Sequence, residues 1–320
     1  MLMILLVLAL VGAACGGGES PSASPSTTAA DDAQLVLTPA NYELIAGSPQ
    51  RVIAGIQTGG DGRLLAFGEV GFSFAYLGTK EAPVQQPTTA FEATASYLPI
   101  PGQTLTLVAE DTPRLGNPSQ GIGVYGASDV VFDRVGFWRV TATVDLAGEA
   151  QSAQGVVAVK ADGAVPAVGD DALATKNPVS GADGVDPASI DSRAKGSGTV
   201  PDGILHRTSI ADALAAGRPL MIVISTPVYC QSRFCGPITD SVEALARAHE
   251  EGPMAFVHLE VWDDFEAKKV SPFASEWIST PDGAAEPWVF VVDATGKITH
   301  RFDNVATDAE LSAAVAAVLG

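Results

Sequence analysis

A chain of 320 residues is longer than one ordinary domain and points to about two. Its 37 acidic and 18 basic residues leave a formal net charge of −19, which argues against nucleic-acid binding, because phosphate neutralisation needs a basic face. An apolar fraction of 47% supports a packed core, three cysteines exclude a disulfide-dense small scaffold, and no apolar run reaches the roughly 18 residues of a spanning helix.

Met1 to Ala14 is unbroken apolar or small sequence ending at Cys15. It is too short to span a bilayer and suits the apolar region of a secretory signal. Val11-Gly-Ala-Ala-Cys15 resembles a bacterial lipobox, which implies a lipoprotein signal peptide over residues 1–15 and lipid attachment at Cys15. Gly12 stands where that family usually has a branched aliphatic residue, and the first basic residue of the chain is Arg51, so an ordinary signal peptide or a merely hydrophobic N-terminus is the alternative. Residues 16–34 are mostly small and polar, without an aromatic, and read as a flexible tether. The expected location is extracytoplasmic, lipid-anchored to the bacterial cell membrane, where disulfides persist.

Residues 35–160 read as all-β. Val52, Ala54 and Ile56 alternate, as do Val70, Phe72, Phe74 and Tyr76; Trp138, Val140, Ala142, Val144 and Leu146 form the clearest strand. Short strands with one apolar face each predict two sheets packed face to face. Asp133-Arg-Val-Gly-Phe-Trp-Arg-Val140 resembles the penultimate strand of bacterial immunoglobulin-like domains, which implies an immunoglobulin-like sandwich serving as spacer or docking module. Residues 161–203, with seven Asp and no aromatic, read as a linker. Within it, Val165-Pro-Ala-Val-Gly169 resembles the entry segment of some extracytoplasmic thioredoxin-like domains.

Residues 204–320 alternate helix and strand. A short helix over 209–216 has Ser209 as N-cap and Gly217 as its stop. Pro219 to Ser225 is a near-continuous apolar run, as a strand buried on both faces requires. Pro237 to Glu250 predicts a helix, Met254 to Val261 a strand, Ser271 to Ile278 a short helix, and Trp288 to Val292 and Lys297 to Phe302 a hairpin turned by Asp293-Ala-Thr-Gly296. Thr307-Asp-Ala-Glu310 is a capping box opening the last helix.

That order, with Cys230 and Cys235 just after the first buried strand, resembles the thioredoxin superfamily. The resemblance rests on Gly217 to Cys230, on Cys230-Gln-Ser-Arg-Phe-Cys235-Gly-Pro237, on Glu286-Pro287-Trp-Val-Phe-Val-Val-Asp293 and on the hairpin with its C-terminal helix. The resulting fold class is a two-domain chain: an all-β immunoglobulin-like sandwich followed by an α/β thioredoxin-like fold.

The resemblance implies a thiol–disulfide oxidoreductase acting on protein thiols or disulfides outside the cytoplasm. Cys230 attacks, Cys235 resolves, Arg233 supplies a cation that favours the thiolate, and Pro287 sits where the family places a cis-proline facing the active site. No cofactor and no metal is expected, and no nucleic acid. Two departures stand out. The spacing is Cys-x-x-x-x-Cys rather than Cys-x-x-Cys, so pairing requires Gln231 to Phe234 to be loop. Alternatively, Cys235-Gly-Pro-Ile238 aligns with the family's motif and Ile238 replaces the resolving cysteine. The strand before the cysteines has Ile222, Val223 and Ile224 where the family has a buried acid; Glu260 and Asp263 are the candidate substitutes. A static structural disulfide in a non-catalytic surface-binding lipoprotein stays open beside the redox reading, as does a copper-handling role for His258 with the two cysteines. His206, His249 and His300 read as surface or cap residues.

Overall fold

The computed structural model describes residues 34–101, 111–116, 123–201, 203–230, 234–281 and 283–320. The proposed leader, Cys15, nearly all of the tether, and Arg233 lie outside the described residues.

The first half contains β1 (Leu35–Pro39), β2 (Leu44–Ile45), β3 (Gln50–Thr58), β4 (Leu64–Ala66), β5 (Glu69–Gly78), β6 (Thr89–Pro99), β7 (Arg114–Gly116), β8 (Gly123–Val130), β9 (Gly136–Leu146) and β10 (Glu149–Lys160). They hydrogen-bond in the order β2-β10-β9-β5-β6-β8-β3-β4-β7, with β1 on β3. Alternation sets the inner face: Trp138, Val140, Ala142 and Val144 of β9 are buried together with Phe72, Phe74, Tyr125 and Phe132. The sheet curls until β1 reaches β10, where a Cβ at Gly155 would come within 2.6 Å of the Leu37 side chain.

The second half contains β11 (Leu220–Ser225), β12 (Ala255–Glu260), β13 (Trp262–Asp264), β14 (Lys269–Val270), β15 (Ser279–Thr280), β16 (Gly283–Ala284), β17 (Trp288–Val292) and β18 (Ile298–Asp303). A four-stranded mixed sheet runs β12-β11-β17-β18; β13 pairs with β14 and β15 with β16 as two-stranded ribbons. One sheet face, with Leu220, Ile222 and Ile224, packs on the helices Ile210–Ala215 and Pro272–Ile278. The other, with Met221 and Val223, packs on Cys235–Ala248 and Asp308–Leu319.

The expected fold class is therefore corrected. The described chain is predominantly β and is dominated by one ten-stranded sheet, in which β2 joins β10 in parallel, rather than by two facing sheets followed by an α/β thioredoxin-like fold. Strand alternation reveals which residues face inward, but not which edges pair. Here β6–β8 and β3–β8 pairings carry one continuous ladder across what were expected to be two layers. Among the described helices only Cys235–Ala248 and Asp308–Leu319 exceed seven residues, so helix contributes little to the whole.

The two halves pack against each other directly. Ile53, on the outer face of β3, is fully buried with Val124 and Val305, and Phe234 packs on the same cluster. Asn41 Nδ2 and the Tyr42 backbone N–H reach the Asp303 carboxylate at 3.2 and 2.7 Å. The Tyr42 hydroxyl donates to the Glu286 carbonyl, and Arg301 pairs with the buried Glu43 at 3.4 Å. Arg51 pairs with Glu310 at 2.6 Å.

The described residues between 161 and 203 are also packed rather than free. Gly169 N–H donates to the Ile298 carbonyl at 2.8 Å and Ile298 N–H to Asp170 at 3.0 Å, which adds the segment alongside β18. Further on, Thr175 accepts from Trp277 Nε1 at 3.0 Å, and Asn177 Oδ1 accepts from the Ile210 N–H at 2.9 Å. Such a segment is held by backbone and polar side-chain hydrogen bonds, so it lacks the apolar periodicity that marks a packed element.

Candidate functional site

β11 is buried along its whole length and delivers Thr226, Pro227, Val228, Tyr229 and Cys230 to one end of the sheet. Ile224 pairs with Trp288, so the start of β17, and with it Pro287, lies at that same end. The Glu286–Pro287 peptide is cis, and the Pro287 carbonyl accepts from the Asn304 N–H at 2.9 Å.

Cys230 and Cys235 are disulfide-bonded, with Cα atoms 5.9 Å apart. Cys235 is the first residue of the helix Cys235–Ala248, and its N–H donates to Cys230 Sγ at 3.3 Å. Cys235 is fully buried, whereas Cys230 is half-buried. Behind them the Thr239 hydroxyl donates to the Cys235 carbonyl at 2.7 Å and lies 2.7 Å from Ser225 Oγ. Phe234, the residue before Cys235, is the one that packs on the ten-stranded half.

Beside Cys230 lies an aromatic patch. Tyr229 stacks on Phe265 at 3.9 Å, Trp262 meets Phe265 edge-on at 5.4 Å, and Lys268 Nζ sits 3.5 Å from the Phe265 ring centre. Val228 beside it is 53% exposed, a large apolar side chain left open next to the half-buried cysteine.

Under this loop runs a polar network. Val228 N–H and the Thr226 hydroxyl reach Ser192 Oγ at 3.3 and 3.4 Å, and Ser192 N–H donates to Glu260 Oε2 at 2.8 Å. Burial pushes the Glu260 carboxyl up to about 7 against the hydrogen bonds it accepts. Burial, followed by the charge of Glu260, pushes Glu286 up to about 8. Burial also pushes His258 down to about 4, so its imidazole is neutral at pH 7. Asp191 is raised by burial, but hydrogen bonds from His206 and Arg193 outweigh this and hold it well below the usual carboxylate range.

Of the residues singled out in the sequence, Cys230 and Cys235 are brought together and Pro287 is placed at the same sheet end. Glu260 sits on the network beneath the loop, whereas Asp263 pairs with Lys269 on the surface. His206 is not a surface residue: it is fully buried against Asp191 and His258. Asp191, Ser192 and Glu286 were not singled out. The first two fall in a segment read as linker; for Glu286 the signal was its place beside Pro287.

No family model matches the chain, and no curated protein matches it. Among solved structures, it is similar to Spo0M, a sporulation control protein from Bacillus subtilis, at 9% identity and a TM-score of 0.24. The match covers 40% of this chain and spans about half the length of that one, 49%. A likeness this slight carries no argument about fold or activity.

Proposed function

We propose that the protein is a thiol–disulfide oxidoreductase working through Cys230 and Cys235. The supporting observation is the asymmetry of the pair: one sulfur half-buried, the other sealed, with a helix N-terminal N–H directed at the accessible one. A substrate thiolate attacks Cys230 Sγ, the Cys230–Cys235 bond breaks, and Cys235 leaves as thiolate. A second thiolate of the same substrate then attacks the mixed disulfide and releases Cys230. Two electrons pass from the substrate dithiol to the cysteine pair, and the two substrate thiol protons are conserved in solution or on the reduced pair. In the reduced form, the Cys235 N–H and the positive end of the 14-residue helix favour a Cys230 thiolate. Arg233, between the cysteines in the sequence, is part of the proposal as a further cation, and Pro287 as a wall of the substrate groove. The exposed Val228 and the Tyr229–Phe265 stack offer apolar contact to an unfolded or extended protein chain. Glu260 and Glu286, titrating near neutrality, are available to hold a proton beneath the loop.

The same proposal places the chain outside the cytoplasm, tethered through Cys15, on the strength of its apolar leader and low-complexity tether. The test is oxidation of a dithiol peptide by the purified protein. Stoichiometric oxidation by wild type and none by Cys230→Ser supports the reading; equal behaviour of the two removes it.

A second reading, a static bridge in a non-catalytic surface-binding lipoprotein, is favoured by the complete burial of Cys235. It expects a potential below about −300 mV. The copper-handling alternative has less support, since the described contacts of His258 are with Ser225, Asp191 and His206 rather than with sulfur.

A further inference from the structure

We propose that Asp191, His206 and His258 form a binding site for one divalent transition-metal ion, separate from the cysteines. The three side chains come from distant places: Asp191 lies between the helix Pro187–Ile190 and the 3-10 turn Ser192–Ala194, His206 ends the turn Gly203–His206, and His258 is mid-strand in β12. All three are fully buried. Two imidazole nitrogens converge on a single carboxylate oxygen, Asp191 Oδ2: His206 Nε2 at 3.3 Å and His258 Nδ1 at 3.8 Å. One ligand atom from each residue can be chosen so that all lie within 4.8 Å of one another. Metal–nitrogen and metal–oxygen bonds of about 2.0–2.2 Å require ligand atoms roughly 3.3–4.2 Å apart, so modest tightening closes the site.

The hydrogen bonds around His258 and Asp191 have the pattern of a metal centre, whereas His206 Nδ1 has no hydrogen-bond partner among the described residues. His258 Nε2 faces the Ser225 carbonyl at 3.1 Å and must donate to it, which in the neutral ring leaves a lone pair on Nδ1. That lone pair faces an anionic oxygen and has no hydrogen-bond partner among the described residues. Arg193 Nη2 donates to the same Oδ2 at 2.8 Å, and a metal ion between this oxygen and the facing Nδ1 would give the imidazole lone pair the partner it lacks. A backbone carbonyl on the far nitrogen is also the usual way a ligating imidazole is oriented. Asp191 is oriented in turn by the Arg193 fork, with Nη2 at 2.8 Å, and the Arg193 charge is balanced by Glu243 at 3.1 Å and Asp240 at 3.4 Å. Two imidazoles and one carboxylate suit zinc, cobalt, nickel or copper(II) rather than calcium or magnesium. The ion would fix the 187–194 segment, and through Ser192 the loop leading to Cys230.

The experiment uses untagged protein with Cys15 replaced by Ser and the Cys230–Cys235 disulfide intact, so the sulfurs are silent and the outcome is independent of the redox proposal. The protein is stripped with a chelator in urea and refolded with Zn²⁺ or Co²⁺. Metal content, the visible absorption of bound Co²⁺ and the thermal melt are then measured. One equivalent per chain, displacement of Co²⁺ by Zn²⁺ and a higher melting temperature are expected. His258→Gln and Asp191→Asn should bind at least about tenfold more weakly. Failure of wild type to retain metal, or a melt unaffected by Zn²⁺ and by chelator, overturns the proposal and leaves a buried Asp–His pair. Unchanged binding in both folded variants also overturns it. If the variants do not fold, the wild-type stoichiometry and melt decide.

Discussion

Arg51 ties the two halves together through several groups at once, and replacing it with Ala tests how much that tie contributes. Its Nη1 pairs with Glu310 at 2.6 Å, Nη2 donates to the carbonyls of Val305 and Asp303, and the guanidinium lies 5.3 Å from the Phe302 ring centre. The side chain is 11% exposed, so these are poorly screened contacts. Charge-assisted hydrogen bonds contribute about 1.5–3 kcal/mol each, and breaking a buried pair costs about 3–5 kcal/mol. Glu310 stays partly solvated and keeps its Thr307 capping contacts at 2.8 and 3.1 Å, which lowers the loss. The expected cost of Arg51→Ala is about 3 kcal/mol, a sizeable share of a typical stability of 5–15 kcal/mol. Urea unfolding followed by tryptophan fluorescence measures it, and a cycle with Glu310→Gln should show a coupling of about 1–2 kcal/mol. A cost under about 0.5 kcal/mol, or full additivity with Glu310→Gln, would refute the view that the halves form one braced body.

Cys235→Ser, whose accessible Cys230 remains as a free thiol, should accumulate a mixed disulfide with a disulfide-bonded peptide, releasing one peptide thiol; Cys230→Ser should not, as mass spectrometry will report. Burial holds the proton on Glu286 up to about 8 in the folded chain, against about 4.5 for the carboxyl in the unfolded chain. Because the native state binds the extra proton between those values, stability should fall as pH rises from about 4.5 to about 8 and level off above. After allowance for partial exposure the loss is about 2–4 kcal/mol. Urea midpoints at pH 5, 7 and 9 should show that slope in wild type and a flatter one in Glu286→Gln; parallel curves would contradict it. Trp138→Ala opens the aromatic cluster of the larger sheet and should cost about 3–5 kcal/mol with little change in disulfide exchange.

Much of the local structure was legible. The continuous apolar run of β11 reads as a doubly covered strand, and all six of its residues are buried. Thr307 and Glu310 announced a capping box that both side chains make. The alternation of β9 identified Trp138, Val140, Ala142 and Val144 as inward-facing. What the sequence hid is non-local. Pairing of β3 and β6 with β8 turns expected layers into one sheet, and no single strand carries that information. Ile53 is apolar on the face expected to meet water because Val305 covers it. Asp191 looked like one more acid in a low-complexity stretch, and only folding sets it against His206 and His258. The cysteine pair could be suspected from its position, but its asymmetric burial, with Cys235 sealed and Cys230 half-buried, is a product of tertiary packing that no local pattern carries.

The reduction potential of the Cys230–Cys235 pair tests the central claim most directly. Equilibration against glutathione and dithiothreitol buffers, with thiol trapping read by mass, gives the value. A readily exchanging pair should titrate between about −270 and −120 mV, with Cys230 trapped first. A bridge that stays closed below about −300 mV, or in which only Cys235 reacts, would contradict the account.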